Sequence, residues 1–98
     1  MGRLEPVHPG EILKHEFMEP FGLSSNALAR AIGVTATCVN DIVRGRRGIT
    51  AETALRLACF FGTDAQNWMN LQDHYELEIA EQEVGKEMKN IQPWSAAG

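Results

Sequence analysis

The sequence has little cysteine, no long apolar run and no excess of positive charge. Its two cysteines, Cys38 and Cys59, are too far apart for a Cys-x-x-Cys motif, which argues against a disulfide scaffold and favours a reducing compartment. No stretch approaches the roughly 18 consecutive apolar residues that a membrane span needs, and the first ten residues lack the apolar core of a signal peptide. We therefore expect a cytoplasmic protein with no membrane partner.

The usual sequence signs of catalysis are also missing. There is no nucleophile and base at a recognisable spacing, no glycine-rich phosphate loop and no metal-binding cluster. Glu11, His15 and Glu19 stand four residues apart on one helical face, but a fourth ligand has no candidate, so we interpret them as a solvated surface. The sequence predicts a protein that is not an enzyme and that uses no cofactor.

Charge is distributed unevenly along the chain, although the net charge is −4. Residues 24–62 carry five arginines against two acidic residues, whereas residues 63–98 carry seven acidic residues against two lysines. A basic middle joined to an acidic C-terminal third indicates two working surfaces, of which the basic one suits a polyanion.

The apolar pattern is helical throughout, which predicts one all-α domain over residues 1–98 with five helices. The first helix follows Pro9 and ends near Pro20. The second opens at Ser24, a good N-cap, and ends at Gly33. The third is capped by Thr35 and stops at Gly45.

Two further helices complete the predicted domain. The fourth starts at Thr50 and ends at Gly62, with Ala54, Leu57, Ala58 and Phe61 at the spacing of a buried stripe. The fifth is predicted over residues 64–84, opened by a capping box of Thr63 and Gln66, with a stripe of Trp68, Leu71, Tyr75 and Ile79. It is expected to fray around Gly85, and residues 90–98 are expected to form a flexible tail.

Residues 24–45 have the spacing of a helix-turn-helix, with residues 35–44 as its second helix. Ala29 is small, as the close approach of two crossing helices requires, and Gly33 supplies a turn where a side chain would obstruct. Val34, Val39 and Ile42 then hold the second helix against the first. We interpret this second helix as one that enters the DNA major groove.

Candidate contacts with DNA fall into two groups. Side chains on the free face of the second helix can bond or touch base edges, because an Asn suits adenine, a Thr methyl suits thymine and an Asp suits cytosine. We predict that the base-reading residues are Ala36, Thr37, Asn40 and Asp41. Residues at the helix starts and just after the reading helix can hold phosphates, and these are Ser25, Thr35, Arg44, Arg46 and Arg47.

Two of these positions admit another interpretation. Asp41 would repel phosphate unless it meets a cytosine amine or pairs with Arg44, and both alternatives stay open. Cys38 could be a redox switch because nearby arginines favour a thiolate. We favour the interpretation that Cys38 is a small packing residue that fills the edge of the helix pair.

Four blocks of sequence resemble a known family. They are HPGEIL at 8–13, NALARAIGVT at 26–35, GRRGITAETALRLACFFGT at 45–63 and WMNLQDHYEL at 68–77. The helix-turn-helix resembles that of the phage-repressor-like superfamily, and the chain from His8 to about Ala80 resembles the HigA antitoxins, or plasmid-maintenance antidote proteins.

The resemblance implies an all-helical homodimer that binds a palindromic double-stranded operator, represses its own operon and neutralises a HigB-like, mRNA-cleaving toxin. It also implies DNA-facing roles for Thr37, Asn40, Asp41 and Arg44, and a structural role for Trp68 to Tyr75. The reading helix differs from the Gln-rich one common in phage repressors, so no operator sequence carries over. The alternative is a stand-alone repressor of the same fold with no toxin.

Overall fold

The computed structural model describes residues 5–95, and all the regular structure in that range is helical. Helix α1 (Pro9–Ile12) continues without a break as a π-helical segment (Leu13–Met18). Four α-helices follow, namely α2 (Ser25–Ile32), α3 (Ala36–Val43), α4 (Ala51–Phe61) and α5 (Ala65–Met88). The all-α fold and the five successive helices predicted from the sequence are confirmed.

Local capping explains where three of these helices begin. The hydroxyls of Ser24, Thr35 and Thr50 accept hydrogen bonds from the backbone N–H three residues ahead, at 3.0, 3.1 and 3.3 Å. Each bond satisfies one of the N–H groups that the first turn leaves without a partner. The sequence-based starts of α2, α3 and α4 are therefore correct.

The start of α5 differs from the prediction. Asp64, not Thr63, is its N-cap, and the Asp64 carboxylate accepts from the backbone N–H of Gln66 at 3.1 Å. Thr63 instead accepts a hydrogen bond of 3.0 Å from the indole N–H of Trp68. The predicted Thr63–Gln66 capping box is therefore wrong. The side chains of Thr63 and Asp64 can both cap a helix, and here the Thr63 hydroxyl is taken by the buried indole N–H of Trp68, so Asp64 caps α5.

The end of α5 also differs. The helix runs through Gly85 to Met88, whereas fraying was expected around Gly85. A single glycine lowers helix stability by only about 1 kcal/mol, so it does not break a helix of this length. Residues 91–95 carry no regular structure. The rest of the predicted tail, residues 96–98, lies outside the described range.

One hydrophobic core joins the helices. Leu13, Leu28, Val39, Ile42 and Leu57 are each at most 1% exposed, so every helix up to α4 contributes a fully buried side chain. From α5, Trp68 completes the core, and Leu71 packs against it. No helix within residues 5–95 is long and apolar enough to span a membrane.

Candidate nucleic-acid interface

Helices α2 and α3 meet across a short turn that depends on Gly33. This residue caps α2 in the left-handed conformation, with φ of 79°, which glycine adopts without strain. A Cβ at Gly33 would also lie 2.9 Å from Nη1 of Arg56. The positive φ favours glycine here, as the sequence predicted, and a Cβ would also displace the end of the Arg56 side chain.

The core fixes α3 by one face and leaves the other exposed. Val39 and Ile42 are 1% exposed and pack with Leu28 and Ala29 of α2. Cys38 is buried beside them, which fits the interpretation of a packing residue, whereas Cys59 on α4 is exposed. Because Val39 and Ile42 face the core, the residues on the opposite side of α3 are the ones left accessible to a partner.

The predicted base-reading residues differ in their exposure to solvent. Thr37 is exposed, and Asn40 and Asp41 are half-buried on the accessible side of α3. Ala36, however, packs partly against the hydrophobic core, so the expectation that packing leaves it free is wrong. The cause is its place at the first turn of α3, where the helix approaches the core; its contact with a base stays a prediction.

Asp41 has a different partner from the one expected. Its carboxylate forms an ion pair with Arg47, 3.6 Å from Nη2, rather than with Arg44. The backbone N–H groups of Arg46 and Arg47 also donate to the Asp41 carbonyl, at 2.8 and 3.2 Å. The chain folds back after Gly45, which has φ of 76°, and this reversal brings residue 47 rather than residue 44 onto Asp41.

The segment Arg44–Gly48, here called the arginine loop, connects α3 to α4. The three arginines in it, Arg44, Arg46 and Arg47, are exposed. Two of them have no acidic partner within hydrogen-bond reach among the ion pairs of residues 5–95. The loop therefore presents positive charge beside the free face of α3, as phosphate contacts require.

The N-termini of α2 and α3 carry the other two predicted phosphate contacts. Ser25 is the first residue of α2 and is half-buried. Thr35 is exposed, but its hydroxyl already accepts from the N–H of Cys38 at 3.1 Å. Its hydroxyl proton remains available to a phosphate oxygen.

Arg56 has a structural role that the charge pattern did not reveal. Its Nη1 donates to the carbonyl of Ile32 at 2.8 Å, and its Nε and Nη2 contact the Glu52 carboxylate at 3.1 and 3.0 Å. Arg56 thus satisfies a carbonyl that the end of α2 leaves open. The position of Arg56 four residues after Glu52 could have predicted the ion pair between them.

Sequence reasoning also missed two buried polar residues under the arginine loop. His8 is 6% exposed, and its Nδ1 accepts from the N–H of Gly10 at 2.9 Å. Gln72 is 5% exposed, and its Oε1 accepts from the N–H of Ile49 at 2.7 Å. Both lie in sequence blocks that carry the family resemblance, HPGEIL and WMNLQDHYEL, but the partner of Gln72 lies 23 residues away, and no spacing pattern shows that His8 is buried.

Burial lowers the pKa of His8 below its ordinary value of 6.5. The negative charge of Glu11 and a hydrogen bond with the backbone of Arg47 act in the opposite direction, but more weakly. Near neutral pH the ring is therefore uncharged, with Nδ1 free of a proton so that it can accept from Gly10.

Two capped helices joined by a glycine turn, the second with an exposed polar face, define a helix-turn-helix protein. Residues 15–68 match the helix-turn-helix family. The chain is 56% identical over 77 residues to virulence-associated protein I of Dichelobacter nodosus, covering 79% of this chain and 71% of that protein. It is 38% identical over 88 residues to antitoxin HigA-1 of Vibrio cholerae, covering 90% and 83%.

The same likeness holds for a solved structure. The Pseudomonas aeruginosa antitoxin HigA, solved with the higBA promoter, has 51% identity and a TM-score of 0.89, with 93% of this chain and all of that chain covered. The chain belongs to the HigA family of helix-turn-helix antitoxins.

Proposed function

We propose that the protein is the antitoxin of a type II toxin-antitoxin module, which binds operator DNA as a dimer, represses its own operon and neutralises a HigB-like toxin in the bacterial cytoplasm. The observation that supports it best is the free face of α3 with the arginine loop at its end. It is a surface suited to the major groove. The chain that presents this face has 51% sequence identity to a HigA solved with the higBA promoter.

We assign the base-reading roles to α3. Thr37 is exposed and Asn40 is accessible one turn later, so both side chains can reach base edges from one helix face. Asp41 contributes to DNA binding by positioning a phosphate contact, because its carboxylate forms an ion pair with Arg47 and so holds the Arg47 side chain. Ala36 offers at most a small apolar contact, and such a contact suits a thymine methyl.

We assign phosphate contacts to Arg44, Arg46 and Arg47, assisted by Ser25 and Thr35. Each arginine that neutralises a phosphate releases counterions, so its loss weakens binding to every DNA sequence and reduces the dependence on salt. Because one helix-turn-helix reads few base pairs, a two-fold dimer would bind inverted half-sites about 34 Å apart, or a multiple of that distance.

Toxin binding should use a separate, acidic surface. A nuclease that acts on RNA is expected to be basic, because its substrate is a polyanion. Most of the acidic residues outside the helix-turn-helix are exposed or half-buried in two groups, one with Glu11, Glu16 and Glu19, and the other along α5 from Asp73 to Glu87. Either surface leaves the reading face of α3 free for DNA.

A paired measurement with one variant tests both halves of this proposal. The triple variant Arg44→Ala, Arg46→Ala, Arg47→Ala is compared with wild type for binding to its own promoter fragment and for rescue of cells that express the adjacent toxin gene. We expect the variant to lose the promoter and still rescue growth. A folded variant that lost both activities would contradict the two-surface arrangement, and failure of wild type to rescue would contradict the antitoxin function.

A further inference from the structure

The arginine loop is held to the end of α3 by backbone hydrogen bonds to the Asp41 carbonyl and by the Asp41–Arg47 ion pair. Gly45 and Gly48 flank the two middle arginines, and within the segment the loop is held by short backbone bonds such as that from the N–H of Gly45 to the carbonyl of Ile42, 3.0 Å. Glycines make a segment easy to distort. A phosphate clamp works only if its cations keep their positions, so contacts that restrain this loop further from outside favour binding.

His8 contacts the loop from its buried side. The backbone of Arg47 lies close enough to the His8 ring to raise the pKa of that ring, against the larger effect of burial. Because Nδ1 accepts from Gly10, the neutral ring carries its proton on Nε2, and Nε2 is the group that can donate to the Arg47 carbonyl. A Cβ at Gly45 would lie 3.8 Å from the same ring, so the ring is also the neighbour of Gly45.

The His8 ring is itself fixed by elements outside the helix-turn-helix. Its edge packs on Tyr75 of α5, with ring centroids 4.8 Å apart and an interplanar angle of 71°. Next to it, a Cβ on Gly10 would overlap the carbonyl oxygen of Ile42, so the N-terminal turn of α1 rests directly on the end of α3. The loop is therefore tied to α1 and α5 through one imidazole.

Gln72 holds the other end of the loop. Its Oε1 accepts from the N–H of Ile49 at 2.7 Å, and its Nε2 donates to the Glu76 carboxylate at 2.7 Å. The amide also lies against Gly48, where a Cβ would be 2.7 Å from Nε2. Ile49 is thus held by a buried side chain from outside the helix-turn-helix, and Arg47 lies beside another, His8.

We propose that His8 and Gln72 are positioning residues for DNA binding, which fix the arginine loop in the place where its arginines meet phosphates. The proposal rests on the DNA-binding function given above. Neither side chain touches DNA. Gln72 accepts a buried hydrogen bond from the N–H of Ile49, and the buried His8 ring lies beside Gly45 and the backbone of Arg47. A buried polar group left without its partner is costly.

The position of His8 also makes DNA binding sensitive to pH. A protonated ring would place an N–H on Nδ1 against the N–H of Gly10, so the bond that orients the ring is lost. The ionisable and charged groups that face it are Glu11 on α1, Arg47 in the loop and Tyr75 on α5. Of these, Glu11 favours the protonated ring from the solvent-exposed side of α1, and the backbone of Arg47 also favours it, but burial outweighs both effects.

The first test compares variants of His8 by fluorescence anisotropy on the protein's own promoter fragment. His8→Leu removes both ring hydrogen bonds, whereas His8→Gln keeps one acceptor and one donor and cannot titrate. We expect His8→Leu to bind at least about tenfold more weakly at pH 7.5 with a smaller salt dependence, and His8→Gln to stay within about threefold of wild type. Circular dichroism and urea unfolding identify the conditions in which each variant is folded.

The pH profile separates positioning from a merely structural role. Wild-type affinity should fall as the pH drops below 6.5, the ordinary value for histidine, and His8→Gln should lack this fall. The exposed His15→Gln and His74→Gln are matched controls that should keep it. A fall that persists in His8→Gln, or a folded His8→Leu that binds like wild type, would overturn the role of His8.

Gln72→Met tests the second contact, because methionine is similar in length and makes no hydrogen bond to Ile49. We expect weaker binding to all DNA sequences alike, as in the arginine variants; unchanged affinity in the folded variant would remove Gln72 from the proposal. The control is Gln66→Met, an exposed position on the same helix. If wild type failed to bind its promoter, or if Arg44→Ala had no effect, the DNA-binding function itself would be at fault rather than the positioning.

Discussion

Arg56 of α4 caps the C-terminus of α2, because its Nη1 donates to the backbone carbonyl of Ile32 at 2.8 Å. The same guanidinium is held by Glu52, one turn earlier, through Nε and Nη2. Helix α2, the first helix of the pair, is thus fixed to α4 at the turn that sets the angle of α3.

The first prediction concerns this cap. Arg56→Ala should lower the free energy of unfolding by about 1 to 2 kcal/mol, because a charge-assisted hydrogen bond to a helix-end carbonyl is lost. Urea denaturation followed by circular dichroism measures the change. Glu52→Gln, which keeps a hydrogen-bond acceptor for Arg56, should cost less; equal losses in the two variants would mean that the ion pair, not the cap, carries the effect.

The second prediction concerns base reading by α3. Thr37→Ala and Asn40→Ala should each cost about 1 to 3 kcal/mol on the cognate operator and leave binding to random DNA nearly unchanged. Competition with unrelated DNA in a mobility-shift assay gives both numbers. An exposed position far from α3 on the sequence, Gln66→Ala, is the control, and equal losses on random DNA would contradict the assignment.

The third prediction concerns stability against pH. The pKa of His8 is lowered in the folded protein from the ordinary value of 6.5. Below pH 6.5 the unfolded chain therefore binds a proton at this residue more readily than the folded chain does. The free energy of unfolding should fall as the pH decreases from 6.5 towards the lower pKa of the folded protein. His8→Gln should flatten this part of the pH profile of unfolding free energy. A profile below pH 6.5 that is the same in wild type and in His8→Gln would show that another group is responsible.

The fourth prediction compares two glycines that have opposite surroundings. Gly10→Ala should destabilise the fold by about 3 kcal/mol, because its Cβ would overlap the Ile42 carbonyl and the backbone of two elements must separate. Gly85→Ala, in the last turn of α5 and with nothing within 4 Å of the added Cβ, should stabilise by up to about 1 kcal/mol. Thermal unfolding of the two variants side by side checks both signs.

What the sequence predicted well depends on contacts within a few residues. The caps at Ser24, Thr35 and Thr50 follow from a hydroxyl and an N–H three residues apart, and the glycine turn at Gly33 follows from one dihedral angle. Such features are visible in the sequence because they need no knowledge of the rest of the fold.

What the sequence missed depends on the chain returning to itself. Asp41 meets Arg47 because of a reversal at Gly45, and helix periodicity could suggest only Arg44. Gln72 meets Ile49 across 23 residues, and no spacing rule connects the two. The candidate site could therefore be placed on α3 from sequence, whereas the groups that hold its arginine loop required the fold.

The two cysteines give the molecule a reporter of its own. Cys59 lies on the surface of α4, while Cys38 is 8% exposed on the inner face of α3. A thiol reagent can therefore modify Cys59 directly, but it reaches Cys38 chiefly when α3 lifts from the core. The rate of the slower modification measures how often the reading helix opens in solution.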